Sequence, residues 1–496
     1  MTPHTSKPSL NTLYLLALTL MLATVTTDVL AQNETPVTPA PTAPATPAVT
    51  EPVTATAPTA PAATTAAAPT VTPTTTAPAA QASSKPDLSD FLSTFYTEAS
   101  GASKVKTFWS PSISVSSPAY CSNIKGDVTV TFTARRMTTV HALCWQQPTT
   151  DNPSPWGHDV DLAPDLKLEA DGSGSFVFHA DQFPNGPINL RIYAKDDGDR
   201  QDYCELQLFN DGGVVWNQGI PKTNPAPANG MKLVFSDDFD GPLSIATDDK
   251  DTTAKYWTHW GGGDGSSWPF TNNSGPNNPF SQVKGKIKNY LRIHASKPPG
   301  TRGSTGSLTP THFSSTAPCY LECRFLAQNA TGTWPAFWGG SKKPEDLGTN
   351  KGPCDELDVI EAYGTNSKNG GIWTGYHATT HFWGQPAPAW VTSKTMKGPD
   401  GNPYDAHKMV ETMQTGGKSS WSTTFHTYGL LITHDFTVYY LDDIEVLRHP
   451  TGVISANNPF IFIINLAIGG SWPANLLRYG NQSDMWVDYV RVYQGM

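Results

Sequence analysis

The sequence predicts an all-β protein of two folded units, a large two-sheet sandwich in the C-terminal half preceded by a smaller Ig-like β-sandwich. Three observations carry this expectation. Charged residues make up only 15% of the chain, while 15 Trp and 17 Tyr are present, a balance that suits sheets with aromatic surfaces better than helical bundles. Short runs rich in β-branched and aromatic residues alternate with turn signals, and no amphipathic helical period interrupts them after residue 231. At 496 residues the chain also exceeds one ordinary core.

The N-terminus reads as an export signal over residues 1–31. Lys7 supplies the positive region, LYLLALTLMLATV (13–25) the apolar core, and Val29-Leu30-Ala31 a cleavage site. The expected location is therefore secreted or periplasmic, with no membrane contact once the signal is cleaved. Residues 32–86 are nearly all Pro, Thr and Ala; they have little to bury and read as an extended tether. Residues 87–222 hold GDVTVTFTA, GSFVFHA and PINLRIYAK, the regular short strands of the Ig-like accessory sandwich. This region also carries Trp145 and Trp216, each a core residue or a sugar platform. NPAPANG (224–230) is a second linker, and residues 231–496 form the large sandwich, whose curved sheets are expected to leave a cleft.

A formal net charge of -10 argues against a nucleic-acid partner. Six cysteines in an exported chain point to disulfides, with Cys144–Cys204 expected in the first half and Cys354 bridged to Cys319 or Cys323 in the second. A monomer is expected.

The chemistry concentrates in CDELDVIEAYG (354–364). Glu356, Asp358 and Glu361 alternate there with large apolar residues, so one face of the strand packs on a core and the other is wet or lies in a cleft. The spacing of two and then three would turn Glu361 to the wrong face. A single β-bulge near Val359–Ile360 restores it. Crowded carboxylates repel, and repulsion keeps one acid protonated while another stays ionised. Retaining glycosidases use such a pair about 5–5.5 Å apart.

This strand resembles the E-x-D-x-x-E signature of the bulged branch of glycoside hydrolase family 16. LVFSDDFDG (233–241), YLECRF followed by GTWPAFWGG (332–340), FHTYGLLIT with TVYYLDDIEV, NLAIGGSWP (465–473) and MWVDYVRVYQ (485–494) resemble further family segments in family order. The resemblance implies a β-jelly-roll sandwich with an open cleft and a secreted endo-β-glycanase acting on a polysaccharide with retention. The expected substrates are β-1,3-glucan, β-1,3-1,4-glucan or an exopolysaccharide. It implies Glu356 as nucleophile, Glu361 as general acid/base and Asp358 as the residue that tunes the nucleophile. A transglycosylase and a non-catalytic glucan-binding protein share the scaffold.

Further candidates surround this centre. Trp260, Trp334, Trp338 and Trp472 are expected to line the cleft and stack on sugar rings. His377 and His381 are expected near the leaving side, in a strand context that does not suit a metal pair. No cofactor is required, and a structural Ca²⁺ at Asp488 is the one metal the resemblance implies. The sequence departs from laminarinases in LGTNKGPCDE, where Lys351 and Gly352 stand near the place of a Trp-Pro pair. That exchange points towards a decorated or acidic polysaccharide.

Overall fold

Runs rich in β-branched and aromatic residues form the strands, some alternating and some, such as Phe460–Ile468, buried almost throughout, and their apolar sets meet in two sandwiches. The computed structural model describes residues 113–198, 201–216, 219–248, 250–258, 266–347, 351–364, 375–386, 388–391, 406–410, 421–470 and 474–495. The expected signal peptide and tether, and Trp260 and Trp472, lie outside them. Among the described residues no helix is long and apolar enough to cross a membrane.

The smaller unit has two sheets. Ile113–Ser117, Asp127–Ala134 and Ser173–His179 make a three-stranded sheet. Asn123–Ile124, Gln201–Asn210, Gly186–Lys195, Thr139–Gln146 and His158–Asp161 lie in that order in a six-stranded one, with Leu166–Lys167 pairing Thr139–Gln146. Val130, Phe132, Phe178, Leu190, Ile192 and Leu206 fill the space between.

The larger unit is the expected two-sheet sandwich. One sheet runs Phe280–Lys284, Asn289–Ser296, Gln482–Gln494, Cys319–Ala327, His426–Ile432, Phe436–Leu441 and Ile444–Pro450, with Lys232–Asp237 also pairing Gln482–Gln494 to make eight strands. The facing sheet has seven strands: Tyr256–Trp257, Ser307–Pro310, Phe460–Ile468, Thr333–Ser341, Cys354–Tyr363, Gly375–Trp383 and Ala406–Val410. Leu321, Phe325, Tyr428, Leu430, Val490, Phe337, Ile360 and Ile464 belong to the core between them.

Two sequence expectations are corrected here. All six cysteines are free thiols. Cys144 faces Leu190 and Cys204 faces Ile192, so the strand Gly186–Lys195 lies between them. Two strand spacings of about 4.8 Å exceed the roughly 7 Å Cα separation a disulfide tolerates. Cys354 shares the outward face of its strand with Glu356, whereas Cys319 and Cys323 point into the core from the opposite sheet.

Asp488 does not fit a Ca²⁺ site. It is fully buried, pairs with Lys288 through one oxygen and Arg324 through the other, and accepts from the Gly219 amide. Two cations already neutralise a carboxylate that Ca²⁺ would need among other oxygen donors.

A further finding concerns the polar alternation in PINLRIYAK and the following CELQLFN. Such alternation reads as a solvated strand face, yet Asn189, Arg191, Glu205 and Gln207 are buried. Their face packs against the larger unit through hydrogen bonds rather than apolar contact. Asn189 donates to the carbonyls of Ala327 and Ser422, and Gln207 to that of Asp484. Glu205 accepts from the Asn329 amide and the Ser422 hydroxyl, both at 2.8 Å. The Arg478–Asp202 ion pair, 3.0 Å long and buried, closes the same interface. The smaller unit is thus fastened to the larger one by groups whose partners come from both.

Burial pushes the Glu205 carboxyl up to about 7, against the pull of its hydrogen-bond donors. The unfolded chain releases this proton near the ordinary value of 4.5, so between these limits the folded state holds more protons. The stability tied to that proton is fully present below about pH 4.5 and is lost as pH rises through about 7. Glu205→Gln is therefore expected to flatten the fall in thermal midpoint between pH 5 and pH 8, measured by calorimetry. An unchanged slope would contradict the assignment.

Candidate active site

The acidic strand Cys354–Tyr363 sits inside the seven-stranded sheet between Thr333–Ser341 and Gly375–Trp383. Its register contains the expected bulge. Asp358 opposes Thr379 and Glu361 opposes His377, so Val359 and Ile360 together stand against Ala378. On the other side the pairing steps from Trp338 with Asp358 to Phe337 with Ile360. Val359 and Ile360 are both buried in the core, and the extra residue returns Glu361 to the face of Glu356 and Asp358.

That face is the outer one. Leu357, Ile360 and Ala362 belong to the core, while Glu356 and Glu361 remain partly accessible and Asp358 is buried between them. Cross-strand neighbours on the same face are Gly340 and His381 beside Glu356, Trp338 and Thr379 beside Asp358, and Ala336 and His377 beside Glu361. Gly340 stands beside Glu356 with little room for a side chain: a Cβ there would lie 3.0 Å from the Cys354 sulfur.

Each carboxylate has its own polar partner. The Trp334 indole N–H donates to Glu361 Oε1 at 3.1 Å, and the Trp383 indole N–H donates to Glu356 Oε2 at 3.1 Å. His381 Nε2 lies 3.3 Å from Asp358 Oδ2. Ligating atoms of Glu356, Asp358 and His381 all fall within 4.8 Å of one another, which brings Asp358 and its imidazole partner directly beside Glu356.

Electrostatics singles out Glu361. Burial raises the Glu361 carboxyl to about 7; His381 opposes the shift, the Glu356 charge adds to it, and donors from Tyr363 and Trp334 pull it down. Near neutral pH Glu361 is therefore poised to give and take a proton, as a general acid/base must. Glu356 is partly accessible and is held by the Trp383 indole.

Of the aromatic candidates, Trp334 and Trp338 stand on the cleft face. Trp334 packs on Tyr363 at 5.2 Å between ring centroids, and Trp338 donates to Asn465 Oδ1 at 2.6 Å. His381 belongs to the site. His377 is buried, stands opposite Glu361 and meets Tyr363 edge-on at 4.9 Å. Asp488 lies in the other sheet, in its ion triad.

Sequence reasoning passed over Trp383 and Tyr363. The signal was present, because Trp383 is two residues beyond His381 and Tyr363 two beyond Glu361, and residues two apart share a strand face. Trp383 is 47% exposed and stacks on His381 at 5.1 Å and 20°. It supplies an aromatic wall beside Glu356 from the neighbouring strand, in a chain with no Trp in the stretch LGTNKGP just before Cys354. Trp383→Phe keeps the ring and loses the N–H to a charged acceptor. A fall in kcat of about 10- to 100-fold is expected, with the fold unchanged; kcat within a factor of two of the parent would remove Trp383 from the site.

Comparison with known proteins points the same way. Residues 281–491 match the family model of glycosyl hydrolases family 16. Endo-1,3-1,4-beta-glycanase EglC of Rhizobium meliloti (strain 1021) is 26% identical over 347 residues, covering 66% of this chain and 59% of the relative. Endo-1,3-1,4-beta-glycanase ExsH of the same organism is 29% identical over 180 residues, covering 35% and 30%. The chain thus spans less than two thirds of the length of either. The structure of an endo-beta-1,3-glucanase from Pyrococcus furiosus aligns at 21% identity and a TM-score of 0.37, covering 54% of this chain and 95% of that one.

Proposed function

We propose that the chain, whose residues 281–491 match the family model of glycosyl hydrolases family 16, is an endo-acting β-glycanase that hydrolyses a polysaccharide by double displacement. The observation that carries this reading is the bulged strand, which sets Glu356 and Glu361 on one face, with the Glu361 carboxyl raised by burial.

In the first step Glu356 attacks the anomeric carbon while Glu361 donates its proton to the departing glycosidic oxygen. The C–O bond to the leaving chain breaks as the ester bond to Glu356 forms. In the second step Glu361, now ionised, takes a proton from water as that water attacks the same carbon and releases Glu356. Asp358, buried between them and paired with His381, positions Glu356 and fixes the charge around it. Trp383 and Trp334 hold the two carboxylates and offer aromatic faces to the sugar rings.

The curated relatives are named for β-1,3-1,4 linkages, and a glucan or exopolysaccharide with such linkages is the proposed substrate. Lys351, exposed just before the acidic strand, favours a decorated or acidic chain over plain laminarin. The N-terminal signal would deliver the protein outside the cytoplasm. Purified protein incubated with laminarin, mixed-linkage barley glucan and an acidic exopolysaccharide tests the proposal. Release of oligosaccharides of intermediate length is expected from the second or third. Absence of cleavage on all three would sink the reading, and activity confined to laminarin would remove the role given to Lys351.

A further inference from the structure

The two units enclose a recess of about 250 Å³ that shares no residue with the carboxylate cleft. It lies on the outer face of the eight-stranded sheet, whereas the acidic strand belongs to the seven-stranded one. Its floor is aromatic and cationic: the Arg324 guanidinium sits 5.3 Å over the Phe425 ring, and that of Arg491 5.4 Å over Tyr489. Its wall is a corner of three tryptophans from the smaller unit, Trp145, Trp156 and Trp216.

The corner is assembled in advance. The Trp145 indole N–H donates to the Trp156 carbonyl at 3.0 Å, and the rings of Trp145 and Trp216 meet at 6.4 Å with a 52° tilt. Trp156 keeps 39% of its surface exposed. A large aromatic left open beside a partly enclosed recess is a contact surface that nothing among the described residues covers.

Charge narrows what that partner is. Arg491 pairs with Glu322 and Arg324 with Asp488, so both guanidinium charges are answered in place, while Asp443 remains an exposed carboxylate at the rim. A polyanionic ligand finds no surplus of positive charge there. A purely apolar ligand would strip water from ion pairs and leave them uncompensated. An uncharged polyhydroxyl chain satisfies both conditions. Its C–H faces rest on aromatic rings, and its hydroxyls bond to polar groups and to the exposed Asp443 carboxylate at the rim.

We propose that this seam is a second saccharide site, which holds an uncharged stretch of polysaccharide on the sheet opposite the cleft; this rests on the reading that the substrate is a polysaccharide. Bound there, a long chain remains tethered between cleavages, and its local concentration at the cleft rises. Short oligosaccharides gain nothing from it.

The test compares the full chain with its Trp156→Ala/Trp216→Ala variant by affinity electrophoresis through gels containing barley mixed-linkage glucan or laminarin. Retardation of the parent in at least one gel is expected, with dissociation constants raised roughly fivefold to tenfold in the variant. A Trp156→Phe/Trp216→Phe variant should restore the retardation, which separates loss of the platform from misfolding. On a glycan that the parent cleaves, KM for the polysaccharide should rise while kcat/KM on a short oligosaccharide stays at the parental value. Equal migration of parent and Ala variant in both gels overturns the seam, whatever the activity. Failure to cleave any glycan while the migration difference persists overturns the hydrolase reading and leaves the seam standing.

Discussion

Glu356→Gln is expected to lower kcat on the polysaccharide by on the order of 10⁴-fold or more, with substrate binding retained. Removing a covalent nucleophile removes the low-barrier route altogether, and losses of this size follow when a residue acts as part of a unit. The amide has the same shape, and its oxygen still accepts from the Trp383 indole, so the local geometry survives. Glu356 faces outwards from the core, which leaves folding unaffected. Turnover within tenfold of the parent would remove Glu356 from the reaction. A Glu356→Ala variant adds a second reading. A small anion such as azide entering the vacated space should restore bond cleavage and give a glycosyl azide of the α configuration.

The second large effect belongs to Glu361. Replacement by Gln should cost about 10²- to 10⁴-fold on the polysaccharide, whose sugar leaving group needs a proton. An aryl glycoside with an acidic phenol leaves unaided, so its first step should be nearly unchanged and the glycosyl-enzyme should accumulate as a burst. The pH dependence follows from the same carboxyl. Burial raises it to about 7, so the protonated form falls away above that value and kcat/KM should decline with an alkaline limb near pH 7. Trp334 donates to the ionised form and pulls the value down. Trp334→Phe should therefore move the limb upwards, and a downward shift would contradict the assignment.

The catalytic strand was the most legible part of the chain. Its irregular spacing admits one physical solution if three acids are to share a face, and the register carries it at Val359 and Ile360. The two-sheet architecture of the larger unit was equally readable, because its strands alternate cleanly against one core. Expectations failed where partners are distant in sequence. Nothing local to Asp488 announces Lys288 and Arg324, which reach it across 200 and 164 positions. The buried polar face of Glu205, Gln207 and Asn189 has the same alternation as a solvated strand, and only the presence of the larger unit tells the two apart. The cysteine count suggested bridges, but pairing depends on which strands are neighbours and which faces they present. Trp383 and Tyr363 were within reach of the period-two rule and needed only its extension past the acids.

The arrangement of Glu356 and Glu361 on one side of a bulged strand makes a direct stereochemical claim. Cleavage of a reactive glycan followed by proton NMR within the first minutes, before mutarotation, reads the anomeric configuration of the newly formed reducing end. Double displacement predicts that the β-anomer appears first and the α-anomer only as equilibrium is approached. An α-anomer formed first would mean single displacement by water, and would contradict the assignment of Glu356 as the nucleophile.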